Sequence, residues 1–201
     1  MNEVVIDIET VPGTLTQPTA EIMTRLLAKK KDKDQSKFCA LTWAFGRIVC
    51  IGISIDGKVQ TLMGNETDIL MAFWTLVGRK TDEFSPMTCR YITFNGKDFD
   101  IPFINFRSAL TGIEPSVEIP RRRYYKDRHF DVMEELSNYF NGLQLSLKDY
   151  CTIFDIRNTD ETDGADIHSL WLKGDREAIE KHCASDVRYT LELYKRIKNC
   201  C

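Results

Sequence analysis

The feature that most restricts how this chain can fold is a short apolar run near its start that carries two acids. Val4 to Ile8 is rich in β-branched side chains and is followed by Pro12-Gly13, which predicts a buried strand ending in a turn. Side chains alternate along a strand, so Asp7 and Glu9 point to one face. Two carboxylates at one strand end can therefore converge on a single site.

Extended and helical patterns alternate through the rest of the chain. From Thr19 to Lys31, Ile22, Met23, Leu26 and Leu27 recur at helical spacing before the segment dissolves into lysines and aspartates between 29 and 34, a helical insertion with a solvated end. Arg47 to Ile55 predicts a strand, Asp56-Gly57 a hairpin turn and Lys58 to Met63 the returning strand. Glu66 to Val77 has the spacing of a helix, and Thr88 to Phe94 that of a strand broken at Asn95-Gly96. Phe99 to Leu110 follows as a helix that tolerates Pro102 near its first turn. A short strand at His129 to Asp131, helical turns from Met133 to Phe140 and from Leu145 to Tyr150, and a long helix from Asp175 to Lys198 complete the order. Such an order belongs to α/β proteins with a mixed sheet flanked by helices. With 201 residues and 43% hydrophobic content, the chain can bury one substantial core, so residues 1–201 are expected to form a single domain.

Composition narrows the setting. Seven cysteines without a C-x-x-C pair argue against a disulfide framework and for reduced thiols in a cytoplasm. Neither a signal peptide nor an apolar run of spanning length is expected, so no membrane partner is either. A net charge of -3 excludes a protein that holds nucleic acid by bulk positive charge, leaving local basic patches for any such contact.

Four carboxylates fall where active sites are usually built: Asp7 and Glu9 at a strand end, Asp100 after a strand and turn, and Asp186 on the last helix. Hard divalent cations prefer oxygen ligands, and two of them about 3.5–4 Å apart can activate a water and stabilise a leaving oxygen. Singly, each acid is equally well a capping or loop residue. Their surroundings carry more. Val5 to Pro12 (VIDIETVP) resembles the first motif of the DEDD superfamily of 3′–5′ exonucleases, and Phe94 to Phe103 (FNGKDFDIPF) resembles its second. The second is close to the form in the proofreading domain of family B DNA polymerases and its stand-alone bacterial and phage relatives. His182 to Val187 (HCASDV) stands for the third motif, and the stretches Asp163 to Trp171 and His129 to Asp131 extend the similarity over nearly the whole chain.

The resemblance implies a ribonuclease H-like fold. It also implies two Mg²⁺ or Mn²⁺ ions on Asp7, Glu9, Asp100 and Asp186, and hydrolysis at the 3′ end of single-stranded nucleic acid, DNA favoured over RNA. It selects Asp100 over Asp98, which then reads as a helix N-cap or a solvent-facing acid. The third motif departs from the pattern, since His182 stands four residues before Asp186, the spacing at which one subclass has tyrosine. Four residues apart on a helix share a face, so His182 is the candidate to orient or deprotonate the attacking water, against the alternative of a surface histidine. That departure also prompts a second reading, a catalytically weakened nucleic-acid-binding module of the same fold. Thr10, Asn95 and Phe99 adjoin the ligands and are expected near the terminal nucleotide. Arg121, Arg123 and Tyr124, in a run that mixes cations with aromatic rings, are candidates for the strand itself or else a solvated loop. Asp160, Glu161 and Asp163 read as loop, because no strand or helix fixes them.

Overall fold

The computed structural model describes residues 2–30, 34–83 and 89–200, apart from the side chains of 79–83. Five strands, β1 (Asn2–Pro12), β2 (Gly46–Ile55), β3 (Lys58–Met63), β4 (Cys89–Thr93) and β5 (His129–Asp131), form one sheet in the order β3-β2-β1-β4-β5. β1 runs antiparallel to β2 and parallel to β4, so the sheet is mixed. Its central place explains the apolar run at the start of the sequence, since a middle strand is covered on both faces. Val4, Ile6 and Ile8 pack on one face with α3 (Glu66–Glu83) and α4 (Asp100–Thr111). Val5 and Val11 pack on the other with α8 (Arg176–Ile197).

The smaller helices are α1 (Gln17–Leu27), α2 (Gln35–Ala40), α5 (Val132–Leu136), α6 (Leu147–Ile153) and α7 (Ile167–Lys173), with a 3₁₀ turn (Gly164–Asp166) leading into α7. Two of these, α2 and α7, carry no sequence pattern long enough to read as helices. The helical turns expected up to Phe140 end at Leu136 because Asn138, Tyr139 and Phe140 all take left-handed backbone, with φ of 51°, 56° and 65°. β1 likewise continues past Ile8 to Pro12, with a bulge between Glu9 and Thr10. The solvated lysines expected at 31 and 33 and the strand start expected at Thr88 lie outside the described residues. No described helix is long and apolar enough to cross a membrane, and the six described cysteines are free thiols.

One glycine decides how closely α8 approaches the sheet. Gly52 of β2 pairs with Asp7 of β1, and a Cβ placed there would lie 2.7 Å from Val187 Cγ2 and 2.9 Å from Cys183 Sγ, both on α8. No other residue leaves that space. Gly52→Ala is expected to cost about 1–3 kcal/mol of stability, read as a lowered midpoint in urea unfolding. Gly164→Ala, where nothing lies within 4 Å of the added carbon, is the comparison and should move the midpoint by less than about 0.5 kcal/mol.

Candidate functional site

Asp7 and Glu9 stand on the face of β1 that α8 covers. The thiol of Cys183 on α8 donates to Asp7 Oδ2 at 3.5 Å. Helical spacing then brings His182 and Asp186 over the same strand end. His182 Nε2 lies 3.6 Å from Glu9 Oε1 and 3.8 Å from Asp186 Oδ2. The fourth carboxylate arrives from α4, whose first residue, Asp100, accepts a hydrogen bond from the backbone N–H of Ile8 at 3.0 Å. Asp100 thus sits against β1, while Asp98 is the solvent-facing acid of the two, half exposed and paired with Arg123 at 3.3 Å.

The loop that delivers Asp100 is tied down by a single carboxylate. Asp131, at the end of β5, accepts hydrogen bonds from the backbone N–H of Asn95 (2.9 Å), Lys97 (3.0 Å) and Glu134 (3.2 Å) and from the Thr93 hydroxyl (3.1 Å). Asn95 takes left-handed backbone with φ of 64°, which asparagine tolerates better than most residues. Gly96 is required beside it, because a Cβ would lie 2.5 Å from Thr93 Cβ. The Lys97 ammonium is buried and paired with Glu134 at 2.5 Å, so it closes the loop rather than facing a ligand. His129 is likewise structural, with Nδ1 hydrogen-bonded to Pro120 O at 2.6 Å and its pKa lowered to about 4 by burial.

The four carboxylates resist being charged together. Burial raises Asp7 and Glu9 well above the ordinary carboxyl range; Asp100 and Asp186 push Asp7 further, and Asp7 and Asp186 push Glu9 further. Burial, then Asp131, lifts Asp100 to about 8 against the pull of two backbone N–H groups. Asp186 is raised to about 6, again by burial, with His182 opposing. Asp186 Oδ1 is buried without a hydrogen-bond partner. A cluster of hard oxygens, short of donors and mutually repelling, has the donor set and the charge deficit that suit divalent cations.

These groups line a cleft of about 600 Å³ whose other walls include Thr10, Lys37, Leu41, Phe94, Phe99 and His168. Thr10 is held there by its hydroxyl, which donates to Ala40 O at 2.8 Å, and α2 is tied across to α7 by Ser36 Oγ and His168 Nδ1 at 2.6 Å. Asn95 is not among the lining residues; its backbone serves the Asp131 network. The basic run lies elsewhere. Arg121 borders a separate groove with Trp43, Pro102 and Phe106, Arg123 is engaged with Asp98, and exposed Tyr124 packs at a tilt against Tyr139 with ring centroids 4.4 Å apart.

His182 is buried, which removes the surface alternative, and one partner explains why. Asp160 is buried too, with Oδ2 2.5 Å from His182 Nδ1. Burial by itself would raise the Asp160 carboxyl, but hydrogen bonds from His182 and from the Thr162 N–H hold it below its ordinary value. Asp160 thus lies in a loop, as its sequence suggests, but its side chain is fixed by His182 and the Thr162 N–H. The signal available was local: Asn158 and Asp160 each accept from a backbone N–H two residues on, so this loop is built of successive Asx turns.

A family model described as a predicted 3′–5′ exonuclease related to the exonuclease domain of PolB matches residues 41–200. That span contains Asp100, His182 and Asp186 and leaves Asp7 and Glu9 outside it. No curated protein matches the chain. Among solved structures, the family B DNA polymerase from the hyperthermophilic archaeon Pyrobaculum calidifontis is similar with a TM-score of 0.67 at 15% identity, over 98% of this chain and 24% of that one. The chain thus spans about a quarter of the polymerase's length, and the likeness establishes the ribonuclease H-like fold.

The raised carboxyls have a consequence for stability. Between the ordinary carboxyl range and pH about 8 the folded protein holds protons that the unfolded chain has released, so stability contributed by these groups is lost as pH rises. The melting temperature of metal-free protein should fall from pH 5 to pH 8, and saturating Mn²⁺ should recover most of the loss at pH 8. Asp7→Asn should raise the metal-free melting temperature at pH 8 by on the order of 5 °C. A flat or rising profile in scanning calorimetry would contradict the raised carboxyls.

Proposed function

The chain belongs to the family of predicted 3′–5′ exonucleases related to the PolB exonuclease domain, and on that premise we propose that it hydrolyses the terminal phosphodiester at the 3′ end of single-stranded nucleic acid. Nucleoside monophosphates are the product, and DNA is preferred to RNA. The observation that carries this reading is the convergence of four carboxylates and one buried histidine, from three separate elements, on one cleft. The same likeness to a DNA polymerase supports DNA as the polymer. We read residues 1–201 as one domain, since β1 near one end of the chain lies beneath α8 near the other.

Asp7, Glu9, Asp100 and Asp186 would hold two Mg²⁺ or Mn²⁺ ions. When bound, such ions neutralise charge on the phosphate and polarise the attacking and leaving oxygens. The chain's own groups do the rest. His182 presents Nε2 between Glu9 and Asp186, where it takes a proton from water; the resulting hydroxide attacks phosphorus, and the bond from phosphorus to the 3′ oxygen of the penultimate nucleotide breaks. That oxygen leaves carrying the electron pair and is protonated by the imidazolium or by solvent. Phe94 and Phe99 offer apolar surface to the terminal base, and Thr10 borders the same wall. Arg121, Arg123 and Tyr124 lie beyond the cleft and would meet the strand further from its end.

Oligonucleotides labelled at the 3′ or the 5′ end, incubated with Mn²⁺, test this. A ladder that shortens from the 3′ end is expected from the wild type and none from Asp7→Ala, while His182→Ala should lower kcat by about 10²–10⁴-fold. Binding without metal-dependent cleavage would instead favour the weakened binding module. A ladder that survives Asp7→Ala would overturn the site.

A further inference from the structure

Asp160 is a buried acid outside the four-carboxylate scheme and, unlike Asp131 and Glu134, it faces the cleft histidine. It lies between α6 and the 3₁₀ turn, in a loop pinned from several sides. The Thr159 N–H donates to the Tyr189 hydroxyl on α8 at 3.1 Å, and Lys148 Nζ of α6 donates to Thr162 O. Its own N–H donates to Asn158 Oδ1 at 2.8 Å, and its Oδ1 accepts from the Thr162 N–H at 3.1 Å. With Oδ1 so engaged, Oδ2 is left facing His182 Nδ1, in a contact where the two side chains are 3% and 5% exposed.

The direction of that hydrogen bond follows from the two groups. An ionised carboxylate only accepts, so the proton in the contact belongs to Nδ1. A neutral imidazole with its proton on Nδ1 has its lone pair on Nε2, and Nε2 is the atom that faces Glu9 and Asp186. At 3.6 and 3.8 Å those carboxylates are beyond hydrogen-bond reach, so neither of them fixes the ring.

We infer that Asp160 is a positioning residue, which holds His182 as the Nδ1–H tautomer with the Nε2 lone pair aimed between Glu9 and Asp186. The tautomer stands on the contact and on the acceptor-only chemistry of a carboxylate; its consequence for turnover rests on the nuclease reading above. Oriented this way, the ring accepts the water's proton on Nε2 while Nδ1 keeps its own, and no second proton need move.

Asp160→Asn tests the assignment with almost no change of shape. The Thr162 N–H needs an acceptor, so the amide oxygen takes the Oδ1 position and the NH₂ group faces Nδ1 as a donor. The imidazole must then accept at Nδ1 and carry its proton on Nε2. Nitrogen-15 NMR of metal-free protein with labelled histidine, at a pH where the rings are neutral, should show Nδ1–H for His182 in the wild type and Nε2–H in the variant. In the nuclease assay Asp160→Asn should lower kcat about 100-fold, with KM for the oligonucleotide and affinity for Mn²⁺ unchanged within about twofold. In a His182→Ala background it should cause no further loss. Wild-type His182 found as Nε2–H overturns the assignment outright, whether or not the variant folds. So does an unchanged tautomer in Asp160→Asn, a loss confined to KM or Mn²⁺ affinity, or losses that multiply with His182→Ala. If wild-type protein cuts no substrate, the reaction fails and the tautomer is decided by the spectrum alone.

Discussion

The site depends on how closely one helix can lie on the centre of the sheet. α8 reaches β1 and β2 only because Gly52 presents no side chain where Cys183 and Val187 settle. From that contact the rest of the geometry follows. Cys183 touches Asp7, the residue before it meets Glu9, and the turn after it brings Asp186 to the same strand end. Lift the helix by the width of a methyl group and the histidine and the acid on it would leave the carboxylates on the strand. The conformational freedom surrendered by ordering these groups is therefore offset by an apolar interface, with Ile179, Cys183 and Val187 buried completely.

Repulsion works against this arrangement. Four acids share one buried end of the cleft; burial raises each of them, and Asp7, Asp100 and Asp186 add to the cost of ionising their neighbours. What keeps Asp100 in place without a cation is backbone, while Asp7 is met by the Cys183 thiol and Asp186 by His182. Asp100 leans on the Ile8 N–H, and the loop before it is gathered by Asp131, which accepts three backbone N–H groups and one hydroxyl. The frame is tied down where the carboxylates are crowded by charge, which is the arrangement expected when function needs fixed oxygens.

Much of this was legible in the residues, and the unevenness has a physical basis. The strands were plain because β-branched runs bounded by turn residues have few other solutions, and the pairing of Asp7 with Glu9 on one face is a direct result of strand alternation. Choosing Asp100 over Asp98 needed either family likeness or coordinates, since both stand at a helix start with similar chemistry. Helices α2 and α7 are too short for a periodic pattern to rise above chance, yet they form two walls of the cleft. Asp160 was beyond reach, because 22 residues separate it from His182 and only the folded loop brings them together. The basic run 121–126 reads equally as a strand-tracking patch or a solvated loop, and in the fold Arg123 and Tyr124 have partners at the surface, outside the cleft.

The contact between Asp7 and Cys183 joins residues 176 positions apart. Closing a loop of that length costs entropy that only the docking of the final helix offsets, which gives the site a high contact order. A partly folded chain, with sheet and early helices formed but α8 still undocked, would hold Asp7, Glu9 and Asp100 without His182 or Asp186. The topology would thereby join the proposed activity to completion of the native state.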